Sequence, residues 1–173
     1  MRYLIVCGGK IDKEFGLNEI KTDGIDAIIA ADSGMDFLYE NGVTPDIIVG
    51  DFDSATTKAL EYFERKGQTE IHRLNPIKDD TDTEYAIRLA ISEGARSIVL
   101  LGATGSRIDH VLGNISLLGI GLESGTDISI IDTNNRIRMS DKPVTIEKSA
   151  QYGRFVSLIA VTDDNEVLSL IHI

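Results

Sequence analysis

Short apolar runs recur along this chain, each closed by glycine or an acid and followed by a stretch long enough for a helix. Tyr3-Leu4-Ile5-Val6, Ala27-Ile28-Ile29-Ala30-Ala31, Asp46-Ile47-Ile48-Val49 and Ser97–Leu101 are nearly continuous, as strands buried on both faces are. Glu70–Leu74 is a weaker strand between the third and the last of these. A short helix is expected after Asp32-Ser33-Gly34 to about Glu40, with Gly42 as its C-terminal cap. Ser54 reads as the N-cap of a helix through Lys66, stopped by Gly67. Thr81 and Glu84 form a capping-box pair for a helix to about Glu93, whose Ala86, Leu89 and Ala90 share one face. A further helix is expected over Asp109–Leu118. Strands alternating with helices predict an α/β fold, a mostly parallel sheet covered on both faces.

The pattern changes after Gly125. Ile128-Ser129-Ile130-Ile131 fits a last strand of the first sheet, and Asn134-Asn135 resembles a hairpin turn. Ile137/Met139 and Val144/Ile146 alternate with polar residues, as half-buried antiparallel strands do. Phe155–Val161, the turn Thr162–Asn165 and Glu166–Ile173 read as another hairpin. The expected organisation is therefore a catalytic α/β domain over residues 1–125 and a small, incomplete antiparallel β domain over 126–173.

Composition narrows the function. With 173 residues, 42% apolar and 26% charged, the chain is ordinary for a soluble globular protein. No apolar run is long enough to span a bilayer, and the short apolar core of a signal peptide is missing after Met1. The one cysteine, Cys7, suits a reducing cytoplasm and reads as core filling. A net charge of −11 disfavours nonspecific nucleic-acid binding. A phosphorylated substrate would need local bases or a divalent metal.

The polar ends of the runs carry the chemistry. Ligands of open parallel sheets bind at the C-terminal strand ends. Acids follow one strand after another there: Asp32, then Asp51 and Asp53, then Asp82, then Asp109. Carboxylates converging on one cleft repel unless a cation sits among them, and Mg²⁺ takes hard oxygen ligands while sharing its other positions with phosphates. Gly8, Gly9, Gly50, Gly102 and Gly105 let backbone approach phosphate closely, and Lys78 and Arg107 supply countercharge in the same loops. Together these features point to nucleotide-dependent phosphoryl transfer.

Each element also has a plainer reading. Asp32 can start a turn, Ser54 is a cap whatever its neighbours do, and Asp82 meets a helix dipole without any metal. Arg107 can pair simply with Asp109, Lys78 can be a solvated countercharge, His110 on a helix flank reads as structural, and His72 and His172 lack metal-ligand spacing. The joint occurrence of five strand-end acids is what favours a site.

Longer segments resemble a known family. Ala31-Asp32-Ser33-Gly34 and Gly42–Ser54, with its Gly50-Asp51-Phe52-Asp53-Ser54, are similar to the thiamine pyrophosphokinase signature. So are Lys78-Asp79-Asp80-Thr81-Asp82-Thr83-Glu84 and Gly102–His110, continuing into Gly113-Asn114 as bacterial members read. The resemblance implies a Rossmann-like ATP-binding layer followed by a small β-sandwich, in a homodimer with thiamine near the subunit interface. It implies Mg²⁺-ATP as co-substrate and transfer of diphosphate to the thiamine hydroxyl, releasing AMP. By resemblance, Asp32, Asp51, Asp53 and Asp82 are the catalytic acids, with Asp51, Asp53 and Asp82 on the metal. Gly8, Gly9, Ser33, Ser54, Lys78, Thr81, Gly105, Arg107 and Asp109 are then set around the nucleotide.

Bacterial members continue through further strands that carry a Ser-Asn pair helping to hold thiamine; no such pair follows residue 150 here. The chain stops inside the apolar run Leu168–Ile173, so the expectation is a truncated β domain with impaired thiamine binding and dimerisation. Two other readings stand beside the kinase: a shortened, inactive nucleotide-binding chain, and a phosphatase using Asp51 as nucleophile, as the Asp51-x-Asp53 pair allows.

Overall fold

Side chains of one strand build both cores of the protein. In β1 (Arg2–Val6), Tyr3 and Ile5 point to one face of the sheet and Leu4 and Val6 to the other, all buried. A computed structural model of the chain describes residues 1–52, 57–75 and 80–161. Around β1 lie β2 (Ala27–Ala31), β3 (Ile47–Gly50), β4 (Glu70–Arg73), β5 (Ser97–Leu101), β6 (Asp127–Ile131) and β7 (Arg136–Arg138). They form one seven-stranded sheet in the order β4-β3-β2-β1-β5-β6-β7. Neighbours from β4 to β6 are parallel and β7 returns antiparallel to β6. Ile5 pairs with Ile29 on one side and Leu100 on the other, so the sheet centre is aliphatic in both directions.

The helices divide between the faces: α1 (Lys13–Ile20), α2 (Gly34–Glu40), α3 (Thr57–Lys66), α4 (Asp82–Ser92), α5 (Ile108–Ser116) and α6 (Leu118–Ser124). Met35 and Leu38 of α2 and Ala59 and Phe63 of α3 join Leu4, Val6 and Ile48, with Phe15 of α1 alongside. Ala86, Ile87 and Ala90 of α4 and Leu118 of α6 join Tyr3, Ile5 and Leu100 on the opposite face. Each such aliphatic side chain, taken fully out of water, contributes about 1.5–3 kcal/mol. The strand order turns at β1: β2 to β4 are added on one side and β5 to β7 on the other. The helices that follow β1 and β5 leave on opposite faces, α1 on one and α5 and α6 on the other, which places a crevice at the carboxyl ends of these strands.

The elements match the sequence pattern most closely where apolar runs are continuous. Differences occur where packing depends on glycine. Helix α1, absent from the sequence pattern, is capped by Asp12, whose carboxylate accepts from the Phe15 amide at 2.9 Å. Its central Gly16 weakens the helical signal but admits Phe37, whose Cζ would lie 2.7 Å from a Cβ there. The helix expected over Asp109–Leu118 forms as α5, and an unexpected second helix, α6, follows it across Leu117 and is capped by Gly125. Thr81 caps α4 as expected, accepting from the Glu84 amide at 3.1 Å, but the Glu84 carboxylate turns down the helix to Arg88 at 2.7 Å.

The sheet continues past residue 126, since β6 and β7 belong to it. The strands expected around Val144/Ile146 and Phe155–Val161 do not form. Among the described residues beyond β7 there is only a 3-10 turn at Lys148–Ala150. An alternating strand is held by a surface that buries one of its faces, and here Val144, Ile146, Phe155 and Ile159 are exposed. The hairpin's second half, residues 162–173, lies outside the described residues. Among the described residues no helix is long and apolar enough to cross a membrane.

Candidate active site

Two strand ends and one helix start deliver three carboxylates to a single place. Asp32 follows β2, and its amide donates to the Val49 carbonyl at 2.8 Å, which ties the turn to β3. Its φ of +48° is left-handed, a conformation that costs a non-glycine residue about 1–3 kcal/mol and recurs at functional sites. The Asp32 carbonyl accepts from the Met35 amide at 3.2 Å, so the chain enters α2 at once. That entry needs glycine at position 34, because a Cβ there would lie 1.9 Å from the Val6 carbonyl oxygen.

Asp51 follows β3 in the same manner. Phe52 after it also has a left-handed φ, +64°. Its ring contacts the core beneath the sheet end and lies under the Arg73 guanidinium, 5.3 Å from the ring centroid. These contacts of the half-buried Phe52 ring offset part of the backbone strain. Asp82 is the first residue of α4, placed there by the Thr81 cap. One carboxylate oxygen from each of Asp32, Asp51 and Asp82 lies within 4.8 Å of the other two, and all three residues are half-buried. Like charges at this spacing repel strongly, and a hard divalent cation relieves them. Three half-buried carboxylates this close fit Mg²⁺, which prefers a few carboxylates and keeps its other positions for water and phosphate.

The loops after β1 and β5, next to Ser33, form a wall of glycine. The Gly9 amide donates to the Gly102 carbonyl at 2.9 Å, joining the loops after β1 and β5. A Cβ on Gly9 would lie 2.3 Å from that oxygen, and one on Gly105 would lie 3.9 Å from Gly9 Cα. Ser33 faces the same loop, its Oγ 2.1 Å from where a Gly8 Cβ would be. Gly8, Gly9, Ser33 and Gly105 thus gather beside one another at the crevice.

Other sequence-predicted residues are placed differently. Asp109 does not join the three acids: it pairs with Arg107, Nη2 to Oδ2 at 2.6 Å, both side chains exposed. The hydrogen bond with Asp109 raises the Arg107 pKa, and the same bond, against a smaller desolvation, lowers that of Asp109. Asp53, Ser54 and Lys78 lie outside the described residues. The Cys7 thiol is buried and pushed up to about 11 by desolvation, which makes it core rather than nucleophile.

Asn114 of α5, which the resemblance included without a role, donates to the Ala103 carbonyl at 2.7 Å. One residue near the site escaped the sequence reading: Asp132 after β6 accepts from the Thr104 hydroxyl at 2.9 Å. Asp132 obeys the same strand-end rule as Asp32 and Asp51, which is the signal that could have found it.

Comparison with known proteins agrees with this geometry. Residues 21–130 match the family model described as thiamin pyrophosphokinase, catalytic domain. The chain is 35% identical over 143 residues to thiamine pyrophosphokinase of Bacillus subtilis, covering 82% of this chain and 66% of that protein. It superimposes on the crystal structure of thiamine pyrophosphokinase from Bacillus subtilis with a TM-score of 0.69 at 32% identity, over 80% of this chain and 64% of that one. On the Geobacillus thermodenitrificans thiamin pyrophosphokinase structure the TM-score is 0.65 at 31% identity, over 79% and 61%. The chain thus spans slightly less than two thirds of these relatives' length. With the family model matching more than half of the chain, the chain belongs to the thiamin pyrophosphokinase family.

Proposed function

We propose that the protein transfers diphosphate from Mg²⁺-ATP to the hydroxyl of thiamine, giving thiamine diphosphate and AMP. The observation that carries this reading is the convergence of Asp32, Asp51 and Asp82 in a chain of this family. The hydroxyl oxygen of thiamine bonds to the β-phosphorus of ATP as the bond from that phosphorus to the oxygen shared with the α-phosphorus breaks. AMP leaves with those electrons, and the hydroxyl proton passes to a base or to water.

Asp32, Asp51 and Asp82, with Asp53 beside them in the sequence, would hold Mg²⁺; when bound, it supplies positive charge against the phosphate oxygens. The backbone at Gly8, Gly9 and Gly105 lets phosphate approach without side-chain obstruction. Arg107 and Lys78 offer countercharge to the triphosphate, Arg107 being exposed beside the glycine loop and able to exchange its Asp109 partner for phosphate. Ser33 and Thr81 stand at the starts of α2 and α4, flanking the acids. Holding hydroxyl and phosphorus in line is where such a site gains most of its rate.

We assign the nucleotide to residues 1–125, where these groups lie, and thiamine contacts to 126–173, in a cytoplasmic homodimer. The partition is supported by the concentration of acids and glycines in the first part. Release of AMP from Mg²⁺-ATP tests the function: it should depend on added thiamine. AMP release that ignores thiamine, or phosphate release without ATP, overturns it.

A further inference from the structure

The glycine-rich loop after β5 is held at three successive residues by three different elements. Gly102 accepts from the Gly9 amide of the β1 loop, Ala103 accepts from the Asn114 side chain of α5, and Thr104 donates to Asp132 of the β6–β7 turn. The first two clamps belong to the crevice itself. The third comes from outside it and connects further.

Asp132 Oδ1 accepts from the amides of Asn134 at 2.8 Å and Asn135 at 2.7 Å, and from the Asn135 side chain at 3.1 Å. Its Oδ2 takes the Thr104 hydroxyl at 2.9 Å and a longer contact from Asn135 at 3.2 Å. Its backbone amide donates to the Asn135 carbonyl at 2.9 Å, and its own carbonyl accepts from the Tyr152 hydroxyl at 2.6 Å. One carboxylate oxygen of Asp132 closes the turn while the other accepts from Thr104. A negative charge repels phosphate, so Asp132 acts on the nucleotide only through the loop it holds.

We propose that Asp132 is a positioning residue of the site: through Thr104 it fixes the Gly102–Arg107 loop against Gly9, and through its carbonyl it links that loop to Tyr152 in the segment beyond the sheet. The proposal rests on the reading of the crevice as a nucleotide site. It also gives the segment after β7 a route of influence on ATP affinity without contact to ATP. Desolvation works to raise the Asp132 pKa, but the Asn134, Asn135 and Thr104 donors prevail and hold it below the ordinary aspartate range. The brace is therefore charged throughout the neutral range.

The test is calorimetry of a non-hydrolysable ATP analogue with Mg²⁺, on the full chain, paired with thermal melting of each variant. T104V removes the donor at nearly constant shape, and T104S keeps it. Loss of this hydrogen bond should weaken analogue binding about five- to tenfold in T104V. T104S should bind within about twofold of wild type, and T104V should melt within about 2 °C of it, a shift smaller than about 1 kcal/mol would produce. Y152F, which removes only the link to the later segment, should weaken binding less than T104V does. Wild-type affinity in T104V, or equal losses in T104S and T104V, overturns the proposal. Failure of the wild-type chain to bind the analogue overturns the nucleotide reading instead, and the proposal with it.

Discussion

Up to Arg138 every strand has a neighbour and each sheet face a core, whereas Met139–Val161 leaves most of its apolar side chains in water. Phe63 in the first region is fully buried; Phe155 in the second is 82% exposed and Ile159 85%. The buried apolar side chains of the described residues all fall at or before Ile131. The strand patterns differ, continuous apolar runs in the first region and alternation in the second. Partnership differs with them. Parallel strands flanked by their own crossover helices bring their covering with them, while an alternating antiparallel strand depends on a surface supplied from elsewhere. The groups that fit phosphoryl transfer sit in the region that carries its own core.

That contrast can be broken at several points. The largest effect is expected at the acids: Asp51→Asn should lower turnover by at least about a hundredfold, the scale for removing a group that stabilises transition-state charge. Its melting temperature should stay near wild type, since Asp51 packs no core; parallel loss of fold and activity would remove it from the site. Next comes the core. Phe63→Ala should cost about 3–5 kcal/mol in urea unfolding, as large-to-small core changes do. Phe155→Ser, in the exposed segment, should stay within about 0.5 kcal/mol. Equal costs would mean that the second region is packed as the first is.

A smaller effect concerns Cys7, which desolvation raises to about 11 despite a weak hydrogen bond from Thr83. Its folded pKa lies above the ordinary value of 9.0, so the stability it contributes is complete below pH 9 and is lost as pH rises toward about 11. At pH 8 the native thiol should resist alkylation and react only on unfolding. Rapid native-state labelling, read by mass spectrometry, would place Cys7 outside the core.

The same partnership explains what the sequence disclosed. Ala27–Ala31 and Ser97–Leu101 coincide with β2 and β5 residue for residue, because a continuous aliphatic run bounded by glycine or acid has few other uses. Helix α1 was hidden by Gly16, whose value is a contact with Phe37, twenty-one residues away and invisible to local pattern. Helix α6 was hidden by Gly119 and Gly121, the latter packed against Thr126 and Ile128. The opposite failure occurred at Val144 and Ile146, where strand-like alternation has no face to cover it.

At the site, Asp32, Asp51 and Asp82 were legible because the ends of parallel strands and the starts of their helices share one edge. Asp109 followed the same rule on paper but has Arg107 two residues away, and the local ion pair claims it. Asp132 went unnoticed because its partners, Thr104 and Tyr152, lie far from it along the chain.

The central claim is that the three acids and the glycine wall form one Mg²⁺-nucleotide site. Its most direct test is titration of Mg²⁺ into the full chain with a non-hydrolysable ATP analogue, followed by calorimetry, for wild type and for the combined Asp32→Asn, Asp51→Asn, Asp82→Asn variant. The account predicts saturable, Mg²⁺-dependent binding of the analogue in wild type and its loss in a variant that still melts cooperatively. Equal Mg²⁺-dependent binding by the folded variant would contradict it.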